Sequence, residues 1–344
     1  MATSEITIRG AGIFGLSIAW ACVQRGAHVH VIDPHGPAAG ASGGIVGALA
    51  PHVPENWNAK KQFQLESLLM AQAFWEGVVA AGGGAPGYAR LGRVQPVRDD
   101  ALPLAEARGT GADTLWAGQA RWRLQEAGTG GWTLAGATRH EIFDDLSARV
   151  HPRAACDALV RALEVRGVRI SAEGQDRGPV VHASGVAGLE ALNARHTRLV
   201  GAGIKGQAVL LDHAAPDAPQ LFVDGLHIIP HADGTTAVGS TTEREYDDAT
   251  STDAQLDAVL DRARDAVPAL RDSPVLARWA GLRPRSRSRA PMLGPWPDRP
   301  GHFIANGGFK IGFGMAPKVA EVMADLILDG RGEIPPGFEV AASL

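Results

Sequence analysis

Apolar residues at the start of the chain follow first the period of a strand and then that of a helix. Ile6 and Ile8 alternate with polar neighbours, which predicts a strand that stops at Gly10. Four apolar residues at helical spacing come next: Leu16, Ala19, Trp20 and Val23. They predict a helix with one apolar stripe against a sheet, ended by Gly26. β-Branched residues in 28–33 predict a second strand, so the segment is a β-α-β unit.

Later segments repeat both periods. Helices are predicted over 154–166, 254–267 and the stretch that contains Val319, Val322, Met323 and Leu326. Strands are predicted over 168–170, 179–185 (strand, then turn), 206–211, 226–230 and 235–240. The glycine-rich segments 82–84 and 127–131 are expected to be loop tips.

The turn between the first strand and its helix reads Gly10-Ala-Gly12-Ile-Phe-Gly15. Gly10 permits a tight turn, Gly12 lets the backbone approach a pyrophosphate, and Gly15 lets helix and strand pack closely. The helix N-terminus offers unpaired N–H groups and partial positive charge to the phosphates. Asp33 ends the second strand, where its carboxylate accepts ribose hydroxyls and disfavours the 2′-phosphate of NADP. The pattern predicts dinucleotide binding; the alternative is a glycine-rich turn without a ligand.

The segment after Asp33 favours FAD over NAD. Residues 36–51 are mostly small, whereas a nicotinamide dehydrogenase usually continues with another βα unit. A loop of small residues passes closely under a planar ring system and offers Ser42 and backbone N–H groups to a diphosphate. Ile45, Val46 and Leu49 are interspersed in it, which fits a flexible linker poorly.

Six ordered motifs resemble those of the D-amino-acid oxidase and glycine oxidase (DAO) family of flavoproteins. They lie at 10–20, 40–44, 204–207, 227–243, 279–284 and 307–312. The resemblance implies an α/β fold, in which a glutathione-reductase-like, FAD-binding Rossmann domain carries an inserted α+β substrate domain with an antiparallel sheet. It also implies that the FAD-binding domain is discontinuous, with residues 1–80, 145–205 and 280–335. The substrate domain then comprises residues 81–144 and 206–279.

The same resemblance implies which residues contact FAD. They are Gly10, Gly12, Ile13, Phe14, Gly15, Asp33, Pro34, Ala41, Ser42, Gly47, Ala48, Leu49, Gly185, Gly308, Phe309, Lys310, Ile311 and Gly312. A helix that begins within 307–314 would place partial positive charge near the flavin N1–C2=O edge and stabilise the reduced ring. Some relatives link FAD through a cysteine near the C-terminal motif, but no cysteine follows Cys156 here. We therefore expect non-covalent FAD.

Three residues are candidates for substrate binding and catalysis: Arg283, His227 and Lys310. Amine oxidation by a flavin requires an anchored substrate, and a fixed arginine fork anchors a carboxylate through two charge-assisted hydrogen bonds. Arg283 matches the family's carboxylate-binding arginine; the alternative is a surface arginine. Lys310 occupies a position where glycine oxidases often have arginine. Its side chain is expected to contact the flavin or the substrate; the alternative is a lysine that faces solvent. His227 replaces a substrate-facing tyrosine, and is either a hydrogen-bonding group that titrates near pH 6.5 or a packed histidine.

Two segments depart from the family pattern. Arg285, Arg287 and Arg289 follow Arg283 in what we expect to be a loop, where many relatives have an acidic residue before a proline. This basic segment either recognises an additional anionic group or is solvated. The segment between residues 170 and 180 is shorter than in most members of the family, which indicates that a β-meander is trimmed here.

Composition narrows the class of protein without naming a substrate. The chain has 344 residues, of which 45% are hydrophobic and 20% charged, as in ordinary globular proteins. A net charge of −4 gives no case for nucleic-acid binding, and no apolar run is long enough to span a bilayer. Met1–Glu5 lacks the basic start of a signal peptide, and Cys22 and Cys156 are expected to be buried thiols in helices. We expect a cytoplasmic protein without a metal site; the oligomeric state cannot be read from the sequence.

The leading hypothesis is an oxidase that dehydrogenates the C–N bond of a small amino acid or N-methylated amine, with oxygen as the acceptor and hydrogen peroxide as a product. One alternative is a dehydrogenase of the same fold that passes electrons to a quinone or a protein. The motifs at 40–51 and 279–284 also resemble the oxidoreductase half of a bacterial tRNA wobble-uridine modification enzyme, although the acidic charge and the missing methyltransferase half argue against it. A non-catalytic flavin- or NAD-binding module is the remaining alternative.

Overall fold

Two large sheets contain most of the strands of the protein. The structure is a computed structural model that describes residues 4–136 and 138–344. The strands, in chain order, are β1 (Glu5–Arg9), β2 (His28–Ile32), β3 (Ala48–Leu49), β4 (Arg93–Val97), β5 (Trp122–Glu126), β6 (His140–Asp144), β7 (Ala148–Arg149), β8 (Arg169–Ser171), β9 (Val180–His182), β10 (Gly201–Asp212), β11 (Gln220–Val223), β12 (Leu226–Pro230), β13 (Thr235–Gly239), β14 (Val275–Ser286), β15 (Met292–Pro295) and β16 (His302–Asn306). The α-helices are α1 (Ile13–Gln24), α2 (Ala59–Val78), α3 (Leu102–Leu115), α4 (Pro152–Val165), α5 (Gly185–Asn193), α6 (Ala254–Ala266) and α7 (Gly312–Asp329).

The six-stranded sheet has the order β15-β16-β9-β1-β2-β8. Its strands are parallel from β16 to β8, and β15 adds an antiparallel edge. The first β-α-β unit lies at its centre, and Gly26 ends α1 with a φ of +84°, as its place after the apolar run predicts. The α/β fold class is therefore confirmed, with the glycine turn at the carboxyl end of β1.

Helix α1 is buried all round. The sequence predicts one apolar stripe, and this prediction is wrong, because every residue of Ile13–Cys22 is buried. Helices α7 and α4 pack against α1 in addition to the sheet, so its remaining faces are covered as well. Its residues are apolar apart from Ser17 and Gln24, which fits a helix with little solvent-facing surface.

The eight-stranded sheet has the order β14-β10-β13-β12-β11-β4-β6-β5. Its pairs are antiparallel apart from β11 and β4, which run parallel. The apolar face of α6 packs on this sheet through residues that the helical spacing predicts: Leu256, Val259, Leu260 and Ala263. Strands β10 and β14 run through the expected domain boundaries at 205/206 and 279/280, whereas the boundary at 144/145 falls at the end of β6.

Some elements differ from their predictions or carry none. Arg285 belongs to β14 and not to a loop, whereas Arg287 and Arg289 do lie in the turn that follows. Helix α2 has 20 residues and α3 has 14, and neither is predicted by the patterns above. No strand lies between β8 and β9 in the described residues, in keeping with the trimmed meander. The expectation about a signal peptide includes residues 1–3, which lie outside the described residues.

None of the described helices combines the length and the apolar character that crossing a bilayer requires.

Candidate active site

A cavity of about 1280 Å³ is lined by residues from both sheets. One end is formed by the glycine turn after β1, the end of β2 and the loop of small residues at 39–52. The other end is formed by side chains of the eight-stranded sheet, and the segment 305–313, which leads into α7, lines the cavity and packs on Phe14 through Gly308. Most of the residues predicted to bind the cofactor or substrate therefore share one cavity.

Three glycines shape the turn at one end of the cavity. Gly10 has a φ of +112°, and a Cβ there would lie 2.4 Å from the carbonyl oxygen of Ala183. A Cβ at Gly15 would lie 1.9 Å from the carbonyl oxygen of Gly10, so Gly15 is required for packing. Gly12 begins α1 without a side-chain cap, and Ser42 Oγ accepts a hydrogen bond of 2.9 Å from the Ile13 N–H. The first turn of α1 has no acidic residue, so its positive end is available to an anion.

Asp33 is held at the end of β2 beside this turn. One carboxylate oxygen accepts the Ala11 N–H at 2.8 Å, and the other accepts the His35 N–H at 3.0 Å. Each oxygen retains a further lone pair, and Asp33 lines the cavity. The carboxylate is thus fixed in place with free acceptor capacity for the hydroxyls of a ribose.

The N-terminus of α7 also lines the cavity, close to the start of α1. Ile311 precedes α7 without a side-chain cap, and the first turn of α7 has no acidic residue. Phe309 has a φ of +45°, and its N–H donates to the Pro284 carbonyl at 2.9 Å. A Cβ at Gly308 would lie 2.9 Å from the Phe14 ring, so the two helix starts pack closely. Two helix N-termini therefore line the cavity, each with partial positive charge and no acidic residue in its first turn.

Two of the predicted cofactor residues do not line the cavity. Gly15 lies behind the turn, where its role is packing, and Leu49 is fully buried in β3, paired with Ala148. Cys22 and Cys156 are buried in α1 and α4, and burial raises the pKa of each thiol to about 12. Neither cysteine lines the cavity.

Arg283 projects from β14 across the wall of the cavity. Nη1 donates to Ser240 Oγ at 2.8 Å, and Nη2 donates to the carbonyl oxygens of Thr241 at 2.6 Å and Lys205 at 3.3 Å. These partners are all neutral, and Nε has none within the described residues. Burial lowers the pKa of the guanidinium, which nevertheless stays charged at neutral pH. Arg283 is thus a buried cation with no bonded carboxylate, in the wall of a cavity, and not a surface arginine.

His227 lies on β12 and lines the same cavity. Its ring packs on Phe222 with 4.6 Å between centroids, and its Nδ1 is buried without a hydrogen-bond partner in the described residues. Burial, and then the charges of Arg93 and Lys310, lower its pKa to about 3. The expectation that His227 titrates near pH 6.5 is therefore wrong: the imidazole is neutral at physiological pH.

Lys310 follows Phe309 in the segment that leads into α7. It lines the cavity, and its Nζ lies 5.9 Å from the centroid of the Phe309 ring. The guanidinium carbons of Arg283 and Arg285 lie 5.8 and 5.6 Å from the same ring. Burial and the charge of Arg283 lower the pKa of Lys310, which fits a lysine that faces the cavity interior.

The structure shows which other side chains share the site with His227. Phe222, His227, Gly239, Ala208 and Trp279 pair in register across five neighbouring strands. The four with side chains line the cavity. Arg93 on β4 lines it as well, as do the hydrogen-bonded pair His52 and Gln64. These residues are far apart along the chain, so only the strand order shows that they share a site.

A family of FAD-dependent oxidoreductases and several known proteins have similar sequences. The pattern of the DAO family, described as FAD dependent oxidoreductase, matches residues 5–326. Glycine oxidase of Pseudomonas aeruginosa is 35% identical over 172 residues, which are 49% of this chain and 47% of that protein. The bifunctional protein ThiO/ThiG of a Nostoc species is 27% identical over 360 residues, covering 96% of this chain and 54% of that protein. The chain thus spans about half the length of these relatives.

Solved structures agree in fold. Glycine oxidase from Geobacillus kaustophilus superposes with a TM-score of 0.82 at 20% identity, covering 98% of this chain and 99% of that one.

The cavity fits FAD. Two helix N-termini that have no acidic residue in their first turn line the cavity and suit anionic groups, and Asp33 retains acceptor capacity for a ribose. Residues 5–326 contain the glycine turn, Asp33 and Arg283, and over that length the chain belongs to the DAO family of FAD-dependent oxidoreductases.

Proposed function

We propose that the protein oxidises the C–N bond of a small amino acid or N-methylated amine to an imine, which water then hydrolyses, and that oxygen accepts the electrons and yields hydrogen peroxide. The observation that carries this proposal is Arg283, a buried guanidinium whose bonded partners are all neutral and which lines the cavity that fits FAD. A buried cation without a bonded carboxylate is well suited to bind the carboxylate of a substrate.

FAD would be held by the glycine turn, Asp33, Ser42 and the N-terminus of α7. When bound, FAD supplies the two-electron acceptor for amine oxidation. The N-terminus of α7 and Lys310 place positive charge at their end of the cavity, where it stabilises negative charge that develops during the reaction.

The side chains of the eight-stranded sheet position the substrate. Arg283 binds the carboxylate, and Phe309 supports the guanidinium with its ring. His227, with a pKa of about 3, acts as a neutral hydrogen-bonding partner and not as a general base. A substrate that is anchored at its carboxylate can adopt few orientations in the cavity. A fixed orientation of the C–H bond to be broken is the main requirement for this reaction.

The test is a visible spectrum of the purified protein, repeated anaerobically with glycine, sarcosine, proline and D-amino acids. We expect flavin bands that bleach with at least one of these compounds, and peroxide on readmission of air. Flavin that no amine reduces would contradict the proposal. An oxygen electrode run beside a dye-linked assay separates the oxidase from the dehydrogenase that uses another acceptor.

We further propose that FAD is bound without a covalent link and that the protein is cytoplasmic. Neither cysteine of the chain lines the cavity, which supports the first, and both thiols are unpaired, which supports the second. Acid precipitation is expected to leave the yellow colour in the supernatant. A yellow pellet would contradict non-covalent binding.

A further inference from the structure

A second arginine, distant from Arg283 in sequence, faces the same cavity. Arg93 on β4 is only 5% exposed, and it lines the cavity. Its Nε donates to Asp144 Oδ2 at 2.9 Å, and its guanidinium carbon lies 5.6 Å from the centroid of the Phe222 ring. Asp144 is fully buried and is held in turn by the Ser147 N–H at 2.8 Å. The guanidinium is therefore fixed from behind by a carboxylate and supported on one face by an aromatic ring.

The terminal nitrogens of Arg93 are free. Nε is the one atom of its guanidinium with a hydrogen bond to the described part of the protein. Nη1 and Nη2 are thus available to a molecule in the cavity, with up to four N–H donors in one plane. A planar donor pair on a fixed guanidinium matches the geometry of a carboxylate.

The two arginines lie on opposite sides of His227. Arg283 reaches Ser240, at the end of β13, while Arg93 lies over Phe222 of β11. Strand β12, with His227, lies between these two strands. Strands β13 and β11 are two strand spacings apart, or roughly 10 Å. A ligand that bridges the two arginines makes a hydrogen bond of about 3 Å to each, which leaves roughly 4 Å between its two acceptor groups. A short dicarboxylate spans this distance.

The charges of the cavity wall agree with a second anionic group. Asp33 is the one acidic residue among the described residues that line the cavity, and it lies at the glycine-turn end. The sheet end carries Arg93, Arg283 and Lys310, with neutral His227 between the two arginines. This end of the cavity thus offers donors to more than one carboxylate.

We propose that Arg93 binds a second carboxylate of the substrate, so that the substrates are amino acids or secondary amines with two carboxylates. The inference rests on the proposed function, since Arg283 takes the carboxylate beside the amine. Arg93 is then a specificity-determining residue. Its N–H donors bind a distal carboxylate through charge-assisted hydrogen bonds, whereas a neutral group at that position forms weaker hydrogen bonds with them. The competing interpretation is a purely structural Arg93–Asp144 ion pair.

Binding of unreactive acids to the FAD-loaded protein tests the inference without turnover. Glutarate and pentanoate have the same chain length and differ by one carboxylate, and their dissociation constants can be measured by calorimetry and by perturbation of the flavin spectrum. We expect glutarate to bind about tenfold or more tightly than pentanoate, as one additional charge-assisted pair implies. Equal affinities would overturn the inference.

The variant Arg93→Met/Asp144→Asn removes both members of the ion pair, so that no buried charge is left alone. We expect it to lose the preference for glutarate and to keep its affinity for pentanoate. Arg123→Met is the matched control, because Arg123 also stacks on a phenylalanine of this sheet, Phe143, but does not line the cavity. If the double variant loses FAD, Arg93→Lys replaces it; this variant keeps the charge, loses the planar donor pair and is expected to weaken glutarate binding. Unchanged glutarate binding in these variants would assign Arg93 a structural role only.

Anaerobic reduction separates this inference from the proposed function. We expect D-glutamate to reduce the flavin faster than D-glutamine, and iminodiacetate faster than sarcosine, each difference shrinking in the Arg93 variants. Reduction that is equally fast within each pair would overturn the inference and leave the proposed function intact. Binding of glutarate that depends on Arg93, with no amine able to reduce the flavin, would support the second carboxylate site and contradict the proposed function.

Discussion

At the scale of single residues, the position of Arg283 depends on a glycine on the neighbouring strand. The Arg283 side chain crosses Gly206 of β10 on its way to Ser240. A Cβ at Gly206 would lie 1.7 Å from Arg283 Nη2 and 2.2 Å from its Cζ. The guanidinium can occupy its place over β10 only because residue 206 has no side chain.

The substitution Gly206→Ala is therefore expected to displace Arg283 while FAD stays bound. A misplaced anchor of this kind lowers kcat/KM for carboxylate substrates on the order of 100-fold. The measurements are steady-state kinetics and the FAD content of the purified variant. Gly130→Ala is the control, because a Cβ at Gly130 meets no atom within 4 Å. Wild-type kinetics in Gly206→Ala would show that the anchor tolerates displacement.

Removal of the anchor itself has a larger expected effect. Arg283→Ala deletes a buried, charge-assisted pair with the substrate carboxylate, which costs about 2–5 kcal/mol, or roughly 30- to 5000-fold in kcat/KM. Amines without a carboxylate should lose much less, since they make no such pair. An unchanged kcat/KM for the best amino acid substrate would show that Arg283 does not bind the substrate carboxylate.

At the scale of elements, the start of α1 is tied to the small-residue loop by Ser42. Its hydroxyl accepts the Ile13 N–H at 2.9 Å and lies 3.2 Å from where a Gly12 Cβ would be. This hydrogen bond holds the loop against the N-terminus of α1, so loop and helix form one cradle. The cradle therefore depends on a contact between residues 29 positions apart.

Ser42→Ala is expected to weaken FAD binding without loss of the fold. One hydrogen bond contributes about 0.5–1.5 kcal/mol, so the Kd for FAD should rise roughly 2- to 13-fold. Titration of the apoprotein with FAD, followed by flavin fluorescence, measures it. Ser251→Ala, at an exposed position before α6, is the matched control. A Kd equal to that of the wild type would mean that Ser42 does not support the cradle.

At the scale of the whole molecule, three histidines make stability depend on pH. Burial is the main reason that the pKa values are lowered, to about 4 for His182, about 3 for His227 and about 4 for His231. Such histidines stay neutral in the folded protein, while in the unfolded chain they gain protons below about pH 6.5. The unfolded state then binds more protons, so the free energy of unfolding falls as the pH drops from 6.5 towards 4.

Urea unfolding of the FAD-loaded protein at pH 7 and pH 5 checks this expectation. The midpoint should be lower at pH 5, and the difference should be smaller in His231→Gln, which removes a histidine that is 1% exposed. His35→Gln, at an exposed position, should behave as the wild type does. Midpoints that do not change between the two pH values would contradict the assignment. Both pH values lie above the usual pKa of carboxyl groups, so carboxyl groups contribute little to the difference between the two midpoints.

Secondary structure could be predicted wherever one periodic face decided the pattern. Helix α6 shows such a face and forms as expected. The first β-α-β unit also forms where it is predicted, although the burial of α1 is not confined to one face. Helix α2 carries two buried polar residues that interrupt its apolar pattern, Gln64 and Ser67. They are buried because Gln64 bonds the backbone of His52 and Ala50, and Ser67 accepts the Lys318 N–H. These partners come from other parts of the chain, so the reason for their burial cannot be read from the helix alone.

The sequence by itself determined the glycine turn, the β-α-β unit, the family and the choice of Arg283, because each rests on residues that are near one another in the chain or in ordered motifs. Only the tertiary structure decided that Arg285 lies on a strand, that His227 stays neutral, and that Arg93 faces the same cavity as Arg283. The physical reason is that strand order, burial and electrostatic surroundings arise from contacts between distant segments. A pattern of nearby residues does not contain them.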